Sequence, residues 1–229
     1  MTPLSVVAYI ASPCLPGGPL LLDGILLAGI GSTMGATRAD GWADATEVLR
    51  AAAAGALPLA RVNTPHGWWW AASQATPEGP EAISHAHRRP AYDLVERWTP
   101  AATLNHSAGP DKALRVPLYS RPAWTTIRWT AVGDPARVAH LLARVPGVGQ
   151  RTTHGWGWVD RWEVTAMPDG PRPEQYAMDL ALRHLPVSAV EDDVLRRVLG
   201  QVRRHELPLR PPYHARAAAV TCWQIARPA

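Results

Sequence analysis

From Pro3 to Ser12 the chain reads PLSVVAYIAS, a short apolar run with β-branched and aromatic residues and proline on both flanks, and it predicts a buried strand. PCLPGGP follows as a loop. LLLDGILLAGIGS, beginning at Leu20, then predicts a buried helix that ends near Gly31. DATEVLRAAAAG places Asp44 and Glu47 at capping-box spacing, fills the body with alanine and stops at Gly55, so a second helix is expected there. From Leu57 to about Pro122 the rhythm breaks into short pieces rich in Pro, His and Trp. ARVNTPHGWWWAASQ suits a strand with a turn at Pro65–Gly67, and ALRVPLYS and AWTTIRWTAV suit strands. EAISHAHRRPAYD and NHSAGPDK show no period, which predicts exposed loops or a projecting hairpin.

DPARVAHLLARVPG has the helical period most clearly. Asp134 is its cap, Pro135 its first turn, and Val138, Leu141, Leu142 and Val145 its apolar face. A glycine-rich stretch follows directly, then GWVDRWEVTAM as a strand. EQYAMDLALRHL and EDDVLRRVLGQVRR predict two more helices; the second has Val194, Leu195, Val198, Leu199 and Val202 inward and Arg196, Arg197, Arg203 and Arg204 outward. ELPLRPPYH reads as a turn-rich connector and AAAVTCWQIA as a closing strand. The resulting order, β-α-(α)-β…β-β-α-β-α-α-β, predicts an α+β fold of the ferredoxin-like or RRM type with additions. We expect one domain over residues 1–229, with 66–122 as an irregular insertion or projecting hairpin region.

Composition sharpens this picture in three ways. A length of 229 residues with 47% hydrophobic content is enough for a sizeable core. Phe is absent and Trp occurs eleven times, so indoles must supply the core's aromatic bulk. The net charge of +4 rests almost wholly on Arg, because Lys112 is the one lysine. Arg presents a planar fork of donors suited to phosphate and also stacks on bases, so a polyanionic partner is expected. Cys14 and Cys222 are too few for a disulfide scaffold or a zinc site. The run from Leu20 to Ile30 is too short for a bilayer span, and no export signal opens the chain, so a cytoplasmic protein without membrane contact is expected.

The candidate chemistry centres on GVGQRTTHGWGW. Gly147, Gly149, Gly155 and Gly157 form two Gly-x-Gly pairs around Gln150, Arg151, Thr152, Thr153 and His154, all of which offer hydrogen-bond donors. A nucleotide-binding loop has its glycines after a strand and before a helix. Here a helix ends, glycines follow and a strand begins, and no Lys is present, which argues against a nucleotide cofactor. Two readings stay open. The glycines end a helix and start a strand with a bulge, or bare amides there follow a sugar-phosphate chain.

This G-x-G-x5-G-x-G loop after the second sandwich helix resembles the glycine-rich loop of the RAMP superfamily of CRISPR-associated proteins. The early LLLDGILLAG and the late LRPPYH are similar to one branch, the RAMP subunit that caps the crRNA 5′ handle in type IV CRISPR effector complexes. The resemblance implies a non-catalytic RNA-binding subunit with no cofactor. It also implies contacts to a helical backbone RAMP subunit and to a large subunit, with target nucleic acid touched only indirectly. The 66–122 region would correspond to a thumb-like insertion.

Nine histidines keep an enzyme reading open. His85, His87, Arg88 and Arg89, in SHAHRRP, are the leading set for RNA-backbone contact or for metal-independent cleavage of a repeat RNA, with His106 and His66 behind them. A solvated basic loop and a mainly protein-contacting assembly subunit are the other readings. Asp192 and Asp193 are explained by a helix dipole. Trp156, Trp158 and Trp162 share one face of a regular strand, either the core or a base-stacking surface. Trp68, Trp69 and Trp70 cannot all point inward.

Overall fold

The structure is a computed structural model that describes residues 1–14, 20–33, 57–78, 82–86, 119–149, 152, 156–190, 202–211 and 219–225. In chain order these form β1 (Thr2–Cys14), α1 (Leu22–Thr33), β2 (Arg61–Thr64), β3 (Gly67–Trp70), β4 (Thr76–Glu78), β5 (Ala82–Ala86) and β6 (Tyr119–Gly133). Then follow α2 (Pro135–Leu142), β7 (Val159–Ala166), β8 (Leu185–Pro186), β9 (Val202–Pro208) and β10 (Ala219–Ile225). The chain divides into a large unit, Met1–Pro80 with Trp124–Ala229, and a small one, Glu81–Ala123. The fold is α+β with antiparallel sheets.

The large unit is built on a sheet in the order β4-β6-β1-β7. β1 lies centrally, antiparallel to β6 from Thr2↔Gly133 to Tyr9↔Thr126 and to β7 from Leu4↔Ala166 to Tyr9↔Arg161. Alternation sends Leu4, Val6 and Ala8 to one face, where the register sets them beside Ala131, Trp129 and Ile127. Leu22, Ile25 and Leu26 of α1 and Val138 and Leu142 of α2 close over that face and complete the main core. The two helices approach closely at Gly29, where a Cβ would stand 2.7 Å from the Leu141 carbonyl oxygen. α2 starts as its sequence predicts: the Asp134 carboxylate accepts from the Ala136 and Arg137 amides, and Pro135 fills the first turn. Pro77 sits in β4 at a sheet edge, where a missing N–H costs least.

Three indoles act as tethers as well as filler. Trp129 Nε1 donates to the Leu20 carbonyl ahead of α1 (2.9 Å), and Trp162 Nε1 to the Val145 carbonyl after α2 (3.0 Å). Trp69 Nε1 donates to the Tyr176 carbonyl (2.9 Å). The β2–β3 hairpin turns at Pro65–Gly67 as expected, with Arg61 opposite Trp70 and Asn63 opposite Trp68. Alternation splits the Trp triplet. Trp70 and Trp68 join the main core, while Trp69 enters a second cluster with Val62, Val132, Tyr176, Leu180 and Leu185. A further sheet, β8-β10-β9, completes the unit. In the small unit, β5 pairs antiparallel with Tyr119–Ala123, the start of β6. Among the described residues no helix is long and apolar enough to cross a membrane.

Two helix expectations are corrected. Residues 174–185 form a short 3-10 turn, Pro173–Ala177, and then tight turns. The Asp179 side chain takes the Ala181 amide (2.8 Å), a local bond that competes with helix propagation. Tyr176, Leu180, Arg183, His184 and Leu185 are all buried, more than one helical stripe can present. Val202–Arg204, expected to end a helix, instead begin β9. They pair with Ile225, Gln224 and Trp223, so strand pairing overrides the helical period. Glu206–Pro208, expected in a connector, continue that strand. The helix expected at 44–55, the first part of ALRVPLYS and residues 191–201 lie outside the described residues.

Arg183 is fully buried. Its Nη1 donates to the Trp70 carbonyl (2.6 Å) and its Nη2 to the Leu209 carbonyl (2.8 Å), and Nη1 lies 3.8 Å from a carboxylate oxygen of buried Asp23 in α1. Beside it, buried His184 donates from Nε2 to the Pro208 carbonyl (2.9 Å). Burial, reinforced by the Arg183 charge, pulls the imidazole pKa from 6.5 down to about 3.

Arg183→Met is expected to destabilise the fold by about 3–5 kcal/mol in denaturant titration, because it removes the donors of two buried carbonyls and the cation beside the buried Asp23 carboxylate. In Asp23→Leu/Arg183→Met a deficit persists, since the carbonyls stay unmet. His184 predicts acid sensitivity. Its folded pKa lies below the unfolded value, so the unfolded chain takes up the proton first. Stability is complete above pH 6.5 and falls below it towards pH 3, by roughly 1.4 kcal/mol per pH unit. Between pH 7 and 5 the loss from this group is about 2 kcal/mol, and His184→Gln is expected to flatten that slope.

Candidate nucleic-acid interface

The glycine-rich loop leaves the sheet through a short backbone ladder. The Val148 amide donates to the Gly157 carbonyl (2.8 Å) and the Val159 amide to the Pro146 carbonyl (2.9 Å), and Gly147 bridges Trp158. The end of β1 seals the other side: the Ala11 amide donates to the Trp158 carbonyl (2.8 Å), and the Trp158 amide donates to Ser12 Oγ (2.9 Å). Gly157 is required here. Its φ is +64°, and a Cβ would stand 1.9 Å from the Val148 carbonyl oxygen. Gly149 is also left-handed, at φ +87°. Gly147 and Gly157 therefore have a structural duty in the neck, whatever the loop beyond it contacts. Thr152 lies beside Gly147, 3.1 Å from where a Cβ would stand. Gln150, Arg151, Thr153, His154 and Gly155 lie outside the described residues.

The neck re-aims the indoles beside it. Tyr9 pairs with Arg161 but Ile10 pairs with Val159, so Asp160 is an extra residue, a bulge in β7. That one residue reverses the parity. Val159 and Trp162 face the core, and Trp162 packs on Trp129 at 5.8 Å. Trp158 takes the other side and is 50% exposed. The expectation that Trp156, Trp158 and Trp162 share one face holds only for an unbulged strand.

The sheet face opposite the helices carries a stacked pair. The Arg161 guanidinium lies 3.8 Å from the Tyr9 ring centroid, and the Tyr9 hydroxyl donates to Glu163 (2.9 Å). Arg128 on β6 donates to Glu78 and to Ser5 on the same face. The Tyr9–Arg161 pair on this face and the half-exposed Trp158 indole in the neck supply the ring surface and charge that a single strand needs for stacking and phosphate contact. Tyr9, Arg161 and Arg128 were missed in the sequence. Alternation alone would have placed Tyr9 opposite the core face, but its cross-strand partner depends on a register the sequence does not declare.

His85 lies on β5 opposite Ser120 in the small unit; His87, Arg88 and Arg89 lie outside the described residues, as does His106. His66 occupies the exposed β2–β3 turn, its amide on Thr64 Oγ1. Cys14 donates to the Val148 carbonyl beneath the neck (3.4 Å), and burial pushes its thiol up to about 12, which makes it an inert structural thiol. Among the described residues no three His, Cys, Asp or Glu side chains are grouped to hold a metal ion.

Gly157→Ala is expected to cost at least ~2 kcal/mol, since the left-handed φ alone costs about 1–3 kcal/mol and the Val148 carbonyl must also move. Faster amide exchange at Val148 and Val159 would report the opened neck. Compared with known protein families and with curated proteins, the chain matches none.

Proposed function

We propose that this chain is a non-catalytic crRNA-binding subunit, a cytoplasmic RAMP protein of ferredoxin-like topology that caps the guide RNA 5′ handle in a type IV CRISPR ribonucleoprotein. The topology supports this reading. Taking β1, α1, β4, β6, α2 and β7 in order gives βαββαβ, and the sheet path β4-β6-β1-β7, antiparallel throughout, is compatible with a ferredoxin-like sandwich to which β2, β3 and β5 are additions. The observation that carries the function is the position of the glycine-rich loop. It joins α2 to β7 through a neck closed by main chain, and that neck carries half-exposed Trp158, while β7 beyond it carries the Arg161 that stacks on Tyr9. Gln150 to Gly155, held on that neck, would follow the sugar-phosphate chain with Arg151 supplying charge, and the His85–Arg89 run would make a second contact. Recognition by shape, stacking and 2′-hydroxyl contact needs no metal or cofactor. The helical backbone subunit and a large subunit would be the protein neighbours, with target nucleic acid reached only through the guide.

The test is purified protein with labelled repeat RNA in the absence of metal. Intact RNA is expected, bound in a salt-sensitive way. Arg151→Ala is expected to weaken affinity about tenfold, ~1.4 kcal/mol, and to lower the log–log salt slope by about 0.7. Discrete cleavage that is lost in His85→Ala/His87→Ala would replace this reading with a repeat-processing endoribonuclease. Absence of binding, with incorporation only on co-expression of the backbone subunit, would replace it with an assembly role.

A further inference from the structure

Among the described residues β9 ends a sheet. The order β8-β10-β9 leaves the main-chain groups on its far side without a paired strand. Arg203, Arg204, His205 and Glu206 are all exposed, so both faces of the strand meet solvent at its centre. Pairing with β10 runs from Val202↔Ile225 to Pro208↔Ala219 without a register shift, so the edge is regular along its whole length. Edges of this kind are commonly blunted by a bulge, by lysines or by a proline within the strand. β9 has no bulge and no lysine, its proline stands at the last position, and its charges are of both signs.

Those charges match each other in a second copy. A two-fold axis through His205 sets β9 antiparallel to itself in full overlap, with Val202 opposite Pro208 and Arg204 opposite Glu206, and the symmetry repeats each pair. Moving the axis by one residue sets Arg204 against Arg204 or Glu206 against Glu206, and like charges directly opposite are destabilising. Both side chains are already positioned on one sheet face. The Arg204 guanidinium carbon lies 4.6 Å from the Trp223 ring centroid, a stack that uses the face of the plane and leaves its N–H edge. The Thr221 hydroxyl donates to one Glu206 carboxylate oxygen and leaves the other. On the opposite face Arg203 meets Leu207, on which its methylene stem packs. Either parity of the new ladder gives about six main-chain hydrogen bonds across the axis. We infer that β9 is a homodimer edge: two copies join β9 to β9 about an axis at His205 and form one continuous sheet. This does not rest on the guide-handle reading, because β9 shares no residue with the glycine loop or with the Tyr9–Arg161 face.

The measurement is sedimentation velocity of nuclease-treated full-length protein over a concentration series, and a monomer–dimer equilibrium is expected. Glu206→Arg and Arg204→Glu each set like charges opposite one another at both ends of the pairing. Each is expected to raise the dimer Kd about tenfold, with thermal melting within a few degrees of wild type. An equimolar mixture of the two single variants is expected to dimerise again, because every opposed pair in the mixed dimer is of opposite sign. His205→Cys should form an intermolecular disulfide in mild oxidant, since opposed residues of antiparallel strands have Cα atoms about 4.5–5.5 Å apart. Arg203→Cys, which meets Leu207 of the second copy, should not, and the native Cys14 and Cys222 are buried. A monomer at every concentration, or a dimer indifferent to both charge variants, would overturn the proposal. Equal cross-linking through positions 203 and 205 would overturn the axis at His205. A dimer present only before nuclease treatment would overturn it in favour of bridging by nucleic acid.

Discussion

The buried guanidinium of Arg183 is the interaction on which most of the large unit depends. Taking a cation out of water is expensive, and the cost is met here by two main-chain carbonyls and a carboxylate. Those partners belong to three separate stretches: the first turn of α1, the end of β3 and the bend after β9. Hydrophobic contact alone would let these segments slide over one another. A charge that must be satisfied from three sides fixes their relative position. The Asp23 that interrupts an otherwise apolar helix is therefore an anchor point, and its neighbours Leu22, Ile25 and Leu26 fill the core around it. His184, uncharged and bonded to Pro208, extends the same tie by one residue.

Most of the main sheet was legible because its signals are local, whereas β4, at Thr76–Glu78, fell in no expected element. β1 announced itself by apolar β-branched residues between prolines, α2 by its Asp-Pro start and periodic valines and leucines, and the hairpin by its Pro65–Gly67 turn. The segment at 174–185 was misread because its apolar spacing imitates a helix, while the deciding facts are an Asp179 side chain that takes a nearby amide and an Arg183 that needs distant carbonyls. Val202–Arg204 were misread for a similar reason: their partner strand lies about twenty residues later, and only the folded chain supplies it.

The candidate interface divides along the same line. Sequence spacing singled out the glycines, and the structure gives Gly157 a firm steric reason and Gly147 a place in the ladder. Which indole faces outward was not legible, because it turns on the one extra residue at Asp160. A bulge there carries two consequences at once. It lets the neck meet β1, and it turns Trp158 towards the face that holds Tyr9 and Arg161.

A chain with eleven tryptophans and no phenylalanine has a core with direction as well as volume. Trp69, Trp129 and Trp162 each spend their indole N–H on a carbonyl at a junction between elements. Phenylalanine matches much of that bulk but has no donor, so at these sites aromatic residues are not interchangeable. Relatives that drift from tryptophan here would have to re-route the carbonyl at the same step, which couples the divergence of the interior to that of its loops.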